Sequence, residues 1–158
     1  MTNYQTCCGS EPHERRRNAT IAGRDFELAT CTHAGDRFDE RYLKEGKLNY
    51  QLLLRLAARA VAQCIFKGVL SETLSEIGGE KFVLYEEKTN LAYFMGGSAG
   101  HYPSRTTYVY VYSVYSRRRA EPVYYEKENV KRLLLHNNGS VTEEPDGPLF
   151  QLRWQDRP

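Results

Sequence analysis

Hydrophobic and polar positions follow two different periods along this chain, and the period switches near residue 80. Between Leu48 and Lys67, Leu53, Leu56, Ala57, Ala60, Val61, Cys64 and Ile65 recur at helical spacing, with Arg55, Arg59 and Gln63 opposite them. That predicts an amphipathic helix ending at Gly68. Upstream, Phe26 and Leu28 alternate with Asp25 and Glu27, which predicts a first strand over Thr20–Cys31. A turn at His33–Gly35 follows, and Asp36 is suited to N-cap a short helix over Phe38–Lys44. Ser71 can cap a further helical piece that stops at Gly78 and Gly79. Beyond residue 80 the period shortens to that of strands. Lys81–Glu86 and Leu91–Met95 flank a four-residue connection and predict a hairpin. Gly96–Ser104 reads as a Gly-rich loop.

A long strand then opens at Thr107 and runs into a block of three arginines at 117–119. Strict alternation places Tyr108, Tyr110 and Tyr112 on one side and Val109, Val111 and Tyr115 on the other. After Pro122, the spacing of Val130, Leu133 and Leu134 predicts a helix over Tyr124–Leu135, ended by Asn137-Asn138-Gly139. A final strand is expected over Leu149–Trp154. Residues 1–18 are polar and turn-rich, so a flexible N-terminal segment is expected ahead of a single domain over 19–158. This order implies an α+β fold: a small antiparallel sheet of four or five strands packed against a helical hairpin and a C-terminal helix.

Composition narrows the class. At 158 residues and 41% hydrophobic, the chain is long enough to bury a core in one domain. It has no apolar run near the roughly 18 residues a transmembrane helix needs, which points away from a membrane partner. The N-terminus lacks the apolar core of a signal peptide, so a cytoplasmic location is expected and the sequons at Asn18 and Asn138 read as chance. Adjacent Cys7 and Cys8 make a poor disulfide framework. Net charge is only +2. Its distribution says more: residues 101–136 hold seven basic side chains (Arg105, Arg117, Arg118, Arg119, Lys127, Lys131, Arg132) against three acidic ones. The basic character lies beside the tyrosine strand, as an anionic partner would require.

The stretch VYVYSVYSRRRAEPVYYEKENVKRLL, an apolar strand ending in basic residues and followed by a Tyr-containing helical segment, resembles the RelE/ParE-like toxin superfamily. The likeness covers about residues 20–135 and lies in the order of elements more than in a motif. The chain departs from that pattern in its N-terminal extension, its Gly-rich loop, its tail, and hairpin strands poor in basic residues. The resemblance implies a ribonuclease acting on RNA or the ribosome, and a cognate antitoxin.

Metal-independent RNA cleavage needs a base, an acid and cations around the phosphorane. Arg117, Arg118 and Arg119 are the candidate cations. Alternation puts Arg118 opposite the other two. His101 is the candidate acid or base, and Tyr124 a candidate for proton transfer. Tyr108, Tyr110, Tyr112, Arg105, Tyr125 and Lys127 are candidates for substrate binding by stacking and charge. No cofactor is implied, since the chain lacks phosphate-loop, dinucleotide and nucleophile-elbow motifs. Cys7, Cys8, His13, Cys31 and His33 are possible zinc ligands without a repeated C-x-x-C pair. The same tyrosines and arginines fit a second reading equally: a phage or mobile-element inhibitor that binds a host protein or nucleic acid through a Tyr/Arg surface, with no catalysis. They also fit an ordinary half-buried strand with a solvated basic end.

Overall fold

The computed structural model describes residues 15–70, 81–98, 106–116 and 131–143. These build one seven-stranded mixed sheet with the order β1-β2-β5-β4-β3-β6-β7. The strands are β1 (Arg16–Ile21), β2 (Arg24–Thr30), β3 (Lys81–Glu86), β4 (Leu91–Ser98), β5 (Thr107–Ser116), β6 (Lys131–Leu135) and β7 (Val141–Glu143). Two pairings, β2 with β5 and β3 with β6, are parallel, and the other four are antiparallel.

Two helices accompany the sheet among the described residues. Helix α1 (Thr32–Phe38) passes into a π-helical turn over Asp39–Leu43. Helix α2 (Tyr50–Phe66) buries Leu53, Leu56, Ala57, Ala60, Val61, Cys64 and Ile65, the face its spacing predicts, together with Leu54 and Ala58. Its ends are chemically explicit. The Asn49 side chain accepts the Leu52 N–H at 3.1 Å. At the other end Gly68 takes φ +76°. Val69 N–H then reaches Cys64 O at 3.1 Å and Gly68 N–H reaches Ile65 O at 3.0 Å, the paired bonds of a Schellman cap.

The expected small antiparallel sheet with a helical hairpin and a C-terminal helix is overturned by this architecture. Three local misreadings explain it. The first expected strand is a hairpin instead: Ala22 and Gly23 take φ 54° and 76°, the positive pair of a two-residue turn, and fold Arg16–Ile21 onto β2. The expected C-terminal helix is a strand over Lys131–Leu135. Leu133 and Leu135 enter the core under α2, while Leu134 packs on the other face with Val83, Tyr85 and Phe94. A strand buried on both faces reads as an unbroken apolar run, which spacing cannot distinguish from a helix. Asn137–Gly139 accordingly turns β6 into β7 rather than ending a helix. Finally, α1 starts at the Cys31 N-cap, with Asp36 inside it.

Helix α1 packs chiefly along β5, and the reason lies in strand length. Strand β2 pairs with β5 only as far as Thr30 and Val111, whereas β5 runs on to Ser116. Beyond Val111 the β5 carbonyls on that side take donors other than β2. The Cys31 thiol reaches Tyr112 O at 3.7 Å, and the Arg41 guanidinium donates to Val114 O. The hairpin β3–β4 stands as its sequence predicts, and β4 runs on through Gly96 and Gly97 into the expected loop. Strand β1 begins at Arg16, inside the segment expected to be flexible. The expected helical piece after Ser71 and the expected strand over 149–154 lie outside the described residues.

Candidate functional site

Strand β5 carries the one group of candidate residues that the described structure contains. Its pairing with β4 shifts between Phe94 and Met95: Met95 faces Val111 and Phe94 faces Ser113, leaving Tyr112 as an extra, bulged residue. The bulge resets the alternation. Before it, Val109 and Val111 face the core beneath α2; after it, Val114 does. Tyr115 therefore lies on the tyrosine side, its ring 4.9 Å from that of Phe94, and not with Val109 and Val111 as strict alternation predicts. The Arg41 guanidinium lies over the Tyr115 ring at 4.6 Å.

The remaining tyrosines share the sheet face away from α2. Tyr110 is buried and meets Tyr112 edge to face at 4.7 Å and 77°. The Tyr112 ring lies over Gly96. A Cβ at Gly96 would stand 2.8 Å from Tyr112 Cε2 and 2.9 Å from its Oη, so a side chain there would displace the ring. Tyr108 and Tyr112 remain 37% and 38% exposed, large aromatic surfaces open on a strand that is otherwise mostly buried. Around Tyr108 the face is of mixed charge. Its cross-strand neighbour is Glu27, which pairs with Arg16 at 3.2 Å, and Asp25 stands two residues further along β2.

The structure thus brings Tyr108, Tyr110 and Tyr112 together. Arg105, Arg117, Arg118, Arg119, His101, Tyr124, Tyr125 and Lys127 lie outside the described residues. Of the possible zinc ligands, Cys31 turns its thiol to the β5 backbone and His33 meets Ser113. Cys7, Cys8 and His13 lie outside the described residues, among which no three His, Cys, Asp or Glu side chains converge.

Two polar groupings escape the sequence reading. His33 Nε2 and Ser113 Oγ are 3.2 Å apart, bringing α1 to the β5 bulge. Partial burial lowers the His33 pKa, the Arg37 and Arg41 charges add to the effect, and Asp36 and Glu40 oppose it. A neutral imidazole can accept the Ser113 proton, although no carboxylate hydrogen-bonds the ring among the described residues. The second grouping lies beneath α2. Glu86 ends β3 on the core face, after Phe82 and Leu84, and its carboxylate accepts the Thr89 hydroxyl at 2.8 Å and meets Arg59 at 3.5 Å. Burial pushes the Cys64 thiol up to about 12, and the Glu86 charge adds to it. Burial raises the Tyr93 phenol as well, again helped by Glu86. The signal available for this grouping was an acidic residue at a core-phase position of an apolar strand.

No helix among the described residues is long and apolar enough to cross a membrane. Comparison with family models, curated proteins and solved structures finds no match for this chain. The likeness to RelE/ParE-like toxins accordingly stays a reading of the sequence.

Proposed function

We propose that this chain is a binding protein, an inhibitor-like module that docks on a partner protein through the tyrosine face of β5. The observation that carries this reading is the exposure of Tyr108 and Tyr112 on a glycine-floored sheet face. Large, partly exposed aromatic rings held by neighbouring rings lose little conformational freedom on binding and make effective interface anchors. The charge on the described part of this face favours protein over nucleic acid: Arg16 is already paired with Glu27, and Asp25 adds a second carboxylate. A phosphate backbone would instead call for an uncompensated cationic surface.

The test begins with affinity capture by the full chain, identification of the retained protein, and measurement of its Kd with purified components. Tyr112→Ala should weaken that complex by about thirtyfold, the equivalent of roughly 2 kcal/mol for an aromatic anchor, while Lys88→Ala in the exposed β3–β4 turn should leave it unchanged. An affinity insensitive to Tyr112→Ala and Tyr108→Ala would overturn the reading. The ribonuclease reading rests on Arg117, Arg118, Arg119, His101 and Tyr124. It predicts growth arrest on expression that Arg118→Ala relieves, and that result would replace the binding proposal.

A further inference from the structure

A cleft of about 410 Å3 opens where β1, β2 and the start of β5 meet, lined by Asn18, Ala19, Thr20, Asp25, Phe26 and Thr106. We propose that it binds a saccharide.

The β1–β2 register explains why its polar side chains converge. Asn18 pairs with Glu27 and Thr20 pairs with Asp25, so all four lie on the sheet face away from α2, while Ala19 and Phe26 turn toward the core. The cleft is therefore a polar one, with the Asn18, Thr20 and Asp25 side chains presented on one face of the sheet. Its volume falls within the range of small-molecule sites, roughly 300 to 1,000 Å3.

The chemistry of the cleft selects the ligand class. A carboxylate accepts hydroxyl hydrogens, a primary amide both donates and accepts, and a threonine hydroxyl does both. Among the described residues no lysine or arginine lines the cleft, and the Asp25 carboxylate disfavours an anionic ligand. The Thr20 hydroxyl reaches Asp25 Oδ1 only at 3.5 Å, a long contact in an exposed setting that a ligand hydroxyl can replace. What suits this set is a neutral ligand with several adjacent hydroxyls. Such ligands also carry an apolar C–H face. Tyr108 supplies a surface for it: it lies on the same sheet face, two residues along β5 from Thr106, and is more than a third exposed.

The test is a titration of the 15N-labelled full chain with maltose, lactose and diacetylchitobiose, with adenosine as the counter-probe. At least one disaccharide should shift the amide signals of Asn18, Thr20 and Asp25 in a saturable manner. Asp25→Asn keeps the side-chain shape but removes the charged acceptor, and should weaken that binding about tenfold. Tyr108→Ala should weaken it too. The proposal is overturned if none of the three disaccharides shifts these signals at millimolar concentration. It is overturned equally if adenosine alone does so, or if Asp25→Asn binds the sugar as the parent chain does. The two readings share Tyr108 but are told apart by Tyr112 and Asp25: failure here leaves the partner-protein reading standing on Tyr112, which the cleft does not use.

Discussion

Gly96 shows how much one missing side chain decides. It is not there for a left-handed backbone; it lies within β4, opposite Tyr110, and leaves the space that the Tyr112 ring fills. Gly96→Ala would drive a Cβ into the far end of that ring, which is partly exposed. The expected stability cost is therefore small, about 1 kcal/mol or less, below the usual range for overpacking a closed core. The Tyr110–Tyr112 contact, however, should be lost. Urea unfolding should show a nearly unchanged midpoint, and partner binding should fall as far as with Tyr112→Ala. Unchanged binding would separate the tyrosine surface from function. The neighbouring Tyr115 carries the lesson about legibility. Alternation places it with the valines, and a single bulged residue moves it to the opposite face. Bulges depend on what the partner strand offers, so no pattern within β5 discloses this one.

Among the elements, β6 was the least legible and makes the sharpest test. Leu133 and Leu134 are adjacent and both buried, one beneath α2 and the other in the smaller apolar cluster across the sheet. In a strand buried on both faces, Leu133→Ala and Leu134→Ala should each cost roughly 2–5 kcal/mol. A one-sided amphipathic helix would not require both positions equally. Chemical denaturation of the two variants checks this, and near-wild-type stability in either would contradict the described sheet. The contrast with α2 and the β3–β4 hairpin is instructive. Their stabilising partners are near in sequence: capping bonds spanning three to five residues, and an antiparallel strand across a four-residue turn. Such elements advertise themselves locally. Strand β6 instead owes its form to a parallel partner some fifty residues upstream.

For the whole molecule, the consequential feature is that ionisable groups were folded into the core along with the apolar ones. Cys64 on α2 faces the same interior as Glu86, and its pKa rises from the ordinary 9.0 to about 12. The sign follows directly. The unfolded chain releases the thiol proton near pH 9 and the folded chain does not, so this contribution to stability is complete below about pH 9. It is lost as pH rises toward about 12. Tyr93, also raised, adds loss in the same direction above its ordinary value of 10.0. Stability should therefore fall on the alkaline side by up to about 1.4 kcal/mol per pH unit for each such group. Urea midpoints measured across that range should show a shallower decline for Cys64→Ala than for the parent chain. Parallel slopes would mean that the thiol is not sequestered.

The sequence by itself determined α2 and its stop at Gly68, the β3–β4 hairpin, the extended character of Thr107–Ser116, and the grouping of Tyr108, Tyr110 and Tyr112 on one side. Each follows from a local period or a local hydrogen bond, which a short window of residues contains in full. Tertiary structure alone decided the seven-strand order, the identity of β6, the bulge that turns Tyr115, the approach of His33 to Ser113, and the burial of Glu86. These depend on pairing between segments far apart in the chain. The free energy that selects such pairings comes from burial and ladder hydrogen bonds that exist only once the sheet has assembled.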